Sequence, residues 1–191
     1  MISNKHKFIF LHIPKCGGTS IENFFGGCKK KHRPLCKMYR HLEFPLEEYF
    51  QFTFVRNPFD RILSLFFYLV KDEKRNDLDF SSFVKNEVCR IMNERKSVIP
   101  RSAKRRHFCP QVMWFENFNK DNFYIGRFEK LQQDFNVVCE KIGIPQQQLP
   151  HLNKSKHKHY TEYYDDETRE IVAKKYAKDI ECFGYKFGEK T

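Results

Sequence analysis

The stretch Lys7-Phe8-Ile9-Phe10-Leu11-His12-Ile13-Pro14-Lys15-Cys16-Gly17-Gly18-Thr19-Ser20 constrains this chain more than any other. An apolar run from Phe8 to Ile13 passes straight into a Lys-x-Gly-Gly-Thr-Ser turn, and Thr19 to Phe25 then reads as a helix. Strand, turn and helix in that order outline a phosphate cradle. Adjacent glycines let the backbone approach an anion closely, and the first N–H groups of a helix have no partner within it. Lys15 adds charge, and Thr19 and Ser20 add hydroxyl donors. An ordinary strand-to-helix connection satisfies the same pattern, so a second segment has to decide.

That segment is Gln51-Phe52-Thr53-Phe54-Val55-Arg56-Asn57-Pro58-Phe59-Asp60-Arg61-Ile62-Leu63-Ser64. A second strand, Phe52 to Val55, is followed by a helix from Pro58 to about Lys71, with the proline where a helix start tolerates it. Arg56 closes the strand and Ser64 lies two turns into the helix. If the two strands are parallel neighbours, Arg56 and Ser64 can converge on one anion beside the first loop.

Ile-Pro-Lys-Cys-Gly-Gly-Thr-Ser, followed by Val-Arg-Asn-Pro-Phe-Asp-Arg-Ile-Leu-Ser, resembles the sulfotransferase superfamily. The likeness is strongest to its membrane-associated (Golgi-type) and bacterial carbohydrate sulfotransferases, family 2. It continues through Pro110-Gln111, Ile125-Gly126-Arg127-Phe128-Glu129 and Leu149-Pro150-His151-Leu152-Asn153-Lys154-Ser155 to Tyr163-Tyr164-Asp165. It implies a P-loop-like, three-layer α/β fold with a central parallel sheet flanked by helices, as one sulfotransferase domain over 1–191. The implied co-substrate is 3′-phosphoadenosine 5′-phosphosulfate (PAPS). Lys15, Cys16, Gly17, Gly18, Thr19 and Ser20 would hold its 5′-phosphosulfate, and Arg56 and Ser64 its 3′-phosphate. Cys16 stands where these enzymes often have Thr, a departure that leaves a backbone cradle intact. Lys154 and Ser155, with Asn153 and Lys156, fall where the family closes a loop over the 3′-phosphate and adenine; a solvated charge run reads equally well there.

Sulfuryl transfer to a hydroxyl requires a base for the acceptor proton and stabilisation of the departing phosphate oxygen. Lys15 and the loop amides suit the second task, since donors fixed before reaction meet developing charge with little reorganisation. For the base, His41 is the first candidate by its likeness to uronyl 2-O-sulfotransferases and their bacterial cousins, and His107 the second. Glu22 and Glu43 are alternatives, and His12 reads as a buttress of the strand or a contact at the acceptor edge. Cys28, His32, Cys36 and His41 are ligand types whose spacing fits no usual zinc pattern. No metal is expected, and zinc there would make His41 a ligand and not a base.

A formal net charge of +11 over 191 residues favours anionic partners. A nucleotide sulfate donor and an acidic carbohydrate acceptor fit that field. The basic clusters at 29–33, 104–107 and 154–159 lie in expected loops and not along one helix, so nucleic acid is not expected. Two rivals remain: a P-loop nucleotide kinase or NTPase, and a non-catalytic basic module that binds nucleic acid or sulfated glycan. The first is weakened because the Walker pattern places its Lys directly after the last Gly, whereas Lys15 precedes Gly17 and Gly18. The second has only the charge behind it.

Seven cysteines without a Cys-x-x-Cys pair suggest a reduced setting. No apolar run approaches the roughly 18 residues that would span a bilayer. With no signal peptide ahead of Lys7, the expected location is the cytosol. Further elements expected are a short helix from Pro45 to Tyr49, a helix capped by Asp79 and running to about Asn93, and an exposed loop over 94–107. A strand follows at Phe123 to Ile125, then helices at Leu131 to Ile142 and Asp166 to Ala177, and an aromatic end that packs back on the body.

Overall fold

A two-residue strand, Ile2–Ser3 (β1), precedes the expected first strand and pairs antiparallel with Phe8–Leu11 (β2), Ile2 opposite Ile9. β2 pairs in parallel with Phe50–Val55 (β3), Leu11 opposite Thr53, and β3 in parallel with Phe123–Arg127 (β4), Val55 opposite Arg127. The sheet order is β1-β2-β3-β4. The three longer strands are therefore parallel, and the sheet is mixed only through β1, which is too short to carry a periodic signal. β2 and β3 are the parallel neighbours that the two motifs require.

The computed structural model describes residues 1–27, 42–73, 78–89, 102–114, 123–150 and 157–189. Its helices are Gly18–Phe24 (α1), Pro58–Glu73 (α2), Phe80–Phe83 (α3), Ala103–Arg106 (α4), Leu131–Lys141 (α5), Asp166–Lys175 (α6) and Ala177–Phe183 (α7). The chain forms two compact units, Met1–Val55 with Trp114–Asn153 and Arg56–Met113 with Lys154–Thr191.

In the first unit the sheet is covered by aromatic packing. Phe8 meets Phe25 at 4.6 Å between ring centroids, and Phe135 of α5 meets Phe24 at 4.9 Å. α1 and α5 thus share one apolar seam against β2. Gly126 in β4 is dictated by packing, since a Cβ there would lie 2.5 Å from the Phe54 ring.

The second unit is built around α2. Asn57 Oδ1 accepts from the Phe59 N–H at 3.1 Å and so steadies the turn that Pro58 opens. Buried Phe59, Ile62, Leu63, Leu65, Phe66 and Leu69 cover most of the helix and join Phe80, Phe83, Val84, Val172 and Tyr176 in one cluster. Asp79 caps α3 as expected, accepting from Ser82 N at 2.9 Å, and the helix then widens into a π turn over Val84–Val88. The aromatic end packs inside this unit, with Phe187 against Phe59 at 5.0 Å and Tyr160 at 5.6 Å.

Two expectations need correction. The loop over 94–107 contains α4, four residues at the edge of the described part. The helix expected from Asp166 to about Ala177 is α6, ending at Lys175, and beyond Tyr176 (φ −110°, ψ 24°), whose buried phenol donates to Phe108 O at 2.9 Å, the aromatic end opens with a further helix, α7, that the expectation lacked. Among the described residues, no helix is long and apolar enough to cross a membrane.

Candidate functional site

The turn after β2 is made by two left-handed residues, Lys15 (φ 69°) and Gly17 (φ 78°), on either side of Cys16. A positive φ is uncommon outside glycine, so the position of Lys15 is held by its surroundings and not by its own preference. Gly17 is the N-cap of α1 and has no side chain with which to cap the helix's first N–H groups. Lys15 and Thr19 are half-buried and Ser20 is buried. Cys16 faces inward, its thiol buried and donating to Pro14 O at 3.6 Å, which accounts for a turn that accepts Cys in place of Thr.

Gly18 is also required by the protein's own packing, whereas Gly17 is required chiefly by its left-handed φ. A Cβ on Gly17 would come within 2.9 Å of Leu131, and one on Gly18 within 2.3 Å of the His12 imidazole. His12 is itself buried, stacked on Phe10, with Nδ1 2.9 Å from Glu22 Oε1. The distance is that of an ion pair, while the alignment is not that of a hydrogen bond. Glu22 lies one turn beyond Gly18 on α1, so the imidazole wedges between strand end and helix start and sets the path of the turn. A buried pair of this kind fixes geometry more than it adds stability. The sequence reads His12 as a buttress of the strand or a contact at the acceptor edge and Glu22 as an alternative base; the structure pairs the two.

Arg56 is the first residue beyond β3. Its Nε and Nη2 both lie 2.8 Å from Asp60 Oδ2, and both side chains are buried. Asp60 was not singled out from the sequence, although the i,i+4 spacing inside Arg-Asn-Pro-Phe-Asp was the available signal. Ser64, half-buried, stands one further turn along the same face of α2. The neighbouring Arg61 is fully buried, donating to His107 O at 3.2 Å and Cys109 O at 2.7 Å, with its guanidinium 5.2 Å above the Tyr176 ring. It anchors the 107–109 segment, and burial pushes the nearby Asp179 carboxyl up against the opposing pull of Arg61.

The turn therefore carries Lys15, Cys16, Gly17, Gly18, Thr19 and Ser20, and Arg56, just ahead of α2, is paired with Asp60 of that helix, with Ser64 one turn further along it. His41, Lys154 and Ser155 lie outside the described residues, as do Cys28, His32 and Cys36. His107, the second base candidate, is half-buried with its ring stacked 5.7 Å from Tyr68. Among the described residues, no group of three or more His, Cys, Asp or Glu side chains is arranged to hold a metal ion.

Comparison with known proteins yields a family match over nearly the whole chain: the model of the sulfotransferase family matches residues 1–186. An uncharacterized protein of Archaeoglobus fulgidus is 26% identical over 113 residues, 59% of this chain and 82% of that one. A crystal structure of a sulfotransferase from Alicyclobacillus acidocaldarius aligns with a TM-score of 0.46 and 18% identity. That alignment covers 76% of this chain and 56% of the other, so the chain spans little more than half the length of that protein.

Proposed function

Because the chain belongs to the sulfotransferase family, we propose that it moves a sulfuryl group from PAPS to a hydroxyl of a carbohydrate acceptor, as one catalytic domain. The observation that carries this reading is the turn after β2, where left-handed Lys15 and Gly17 bring a cation and a helix start to the end of a parallel strand. In this reading the turn holds the 5′-phosphosulfate. Arg56 and Ser64 hold the 3′-phosphate, with Asp60 orienting the guanidinium, and Lys154 and Ser155 close over the nucleotide.

The acceptor oxygen forms its bond to sulfur as the bond from sulfur to the 5′-phosphate oxygen breaks. The acceptor proton passes to a base, for which His41 is the first choice and His107 the second. Negative charge gathers on the departing phosphate oxygen, where the Lys15 ammonium and the amides of the turn meet it without reorganising. The role resembles that of the cations in phosphoryl transfer, filled here by a side chain with no metal called for. A carbohydrate acceptor is favoured by the family branch that the motifs resemble and, for an acidic glycan, by the +11 charge.

Thermal unfolding with 3′-phosphoadenosine 5′-phosphate (PAP), the expected product, tests the nucleotide site. At a hundred times its dissociation constant PAP is expected to add about 2.7 kcal/mol. For a chain of this size that raises Tm by roughly 5–10 °C. AMP is expected to give a smaller shift, and ATP with magnesium no special one. No response to PAP would overturn the reading, and a response confined to ATP with magnesium would favour an NTPase.

A further inference from the structure

β3 ends at Val55, so the peptide groups of Arg56 lie beyond the sheet ladder, where a buried N–H and C=O need other partners. One side chain serves both. Gln111 Oε1 accepts from Arg56 N at 2.9 Å, and Gln111 Nε2 donates to Arg56 O at 2.9 Å. The amide thereby acts as a single rung of strand added past the end of β3.

Gln111 is in turn clamped. Asp179 of α7 accepts from Gln111 N at 2.8 Å, from Val112 N at 2.9 Å and from Gln111 Nε2 at 3.3 Å. Both Gln111 and Asp179 are fully buried, so neither can touch a ligand in solution. Only an amide has the donor and acceptor that this clasp uses: Glu would set one oxygen against both Arg56 O and Asp179 Oδ2, and Leu would supply neither bond. Together with the Asp60 contact to the guanidinium, Arg56 is held by main chain and side chain alike.

We propose that Gln111, clamped by Asp179, is a positioning residue that presets Arg56 for the 3′-phosphate of the nucleotide, so that α7 is coupled to donor recognition. The inference rests on the reading of Arg56 as the 3′-phosphate ligand. A side chain fixed before binding loses less freedom on binding, which is how a residue without ligand contact acts on affinity. PAP and AMP differ only in that phosphate, so the ratio of their affinities isolates the effect from any general loosening of the fold.

The test is calorimetric titration of PAP and of AMP into the wild type, Arg56→Ala, Gln111→Leu and Asp179→Asn. Arg56→Ala is expected to collapse the PAP-to-AMP ratio. Gln111→Leu and Asp179→Asn are expected to lower it about 10-fold with AMP affinity little changed. If Arg56→Ala leaves the ratio intact, the reading of Arg56 fails. If it collapses the ratio while folded Gln111→Leu keeps it, positioning by Gln111 fails and the reading stands. Hydrogen exchange in the wild type needs no variant: PAP is expected to slow exchange of the Arg56 amide and the Gln111 side-chain amide at least about 10-fold beyond AMP. Equal rates with the two nucleotides would overturn the proposal.

Discussion

Lys15→Ala is expected to lower kcat by about 100- to 1,000-fold while the protein keeps its fold, the loss found when one preorganised donor is removed from a developing oxyanion. The backbone argument makes this variant a clean one. Lys15 sits at φ 69°, a conformation that strains any residue bearing a Cβ, so Ala inherits the strain without adding to it. Tm is expected to stay within about 2 °C, since a half-buried lysine at a turn carries little of the core. Arg56→Ala contrasts with it. Its loss is expected to appear mainly as a raised KM for PAPS, because the 3′-phosphate is remote from the breaking bond and its contacts are the same before and during transfer. Release of PAP from PAPS across a panel of glycan acceptors reads both variants. Full activity in Lys15→Ala would defeat the assignment of Lys15, and a pure KM effect there would move it from catalysis to binding.

The two motifs were legible because each is local. An apolar run that stops at Pro14 or at Arg56-Asn57-Pro58 marks the strand end within a residue or two, and the turn and helix follow from Gly and Pro in the next few positions. β1 was not legible, since two residues carry no alternation. α7 was not legible either, for no capping side chain or proline marks its start at Tyr176. Its contacts lie far away in sequence, the Tyr176 phenol on Phe108 O and Asp179 on Gln111 N. The same reason separates the residues found from those missed in the candidate site. Lys15, Gly17, Gly18 and Arg56 announce themselves by type and spacing. Gln111 stands within the Pro110-Gln111 likeness but its role does not show there, and Asp179 shows nothing, because what makes them matter is a set of hydrogen bonds across 55 and 68 residues that only the folded chain brings together. His12 and Glu22 fall between, each visible as a chemical type, their pairing invisible until α1 is laid against the end of β2.

Gly18→Ala is expected to disable the turn, and the cause is one ring. An added Cβ would sit 2.3–2.7 Å from three atoms of the His12 imidazole, which is buried, stacked on Phe10 and paired with Glu22, so it has no direction in which to yield. Helix propensity runs the other way, since Ala is favoured over Gly by up to about 1 kcal/mol, though least at the first helical residue. Overpacking of this kind costs about 1–3 kcal/mol and wins. A fall in Tm of roughly 2–10 °C follows, with loss of the PAP-induced shift as the start of α1 moves. The second half of the prediction names the culprit. In a double-mutant cycle His12→Ala bears the same penalty with or without the new methyl, including the carboxylate of Glu22 left behind, so that penalty cancels. What remains is the clash, and the double variant is expected to be more stable than additivity predicts by about 0.5–3 kcal/mol. Gly17→Ala is the control: its fault is the left-handed φ of 78° and a contact with the movable end of Leu131, neither of which His12→Ala relieves. Additive behaviour for Gly18 and His12, or equal rescue of Gly17→Ala, would show that His12 does not shape the turn.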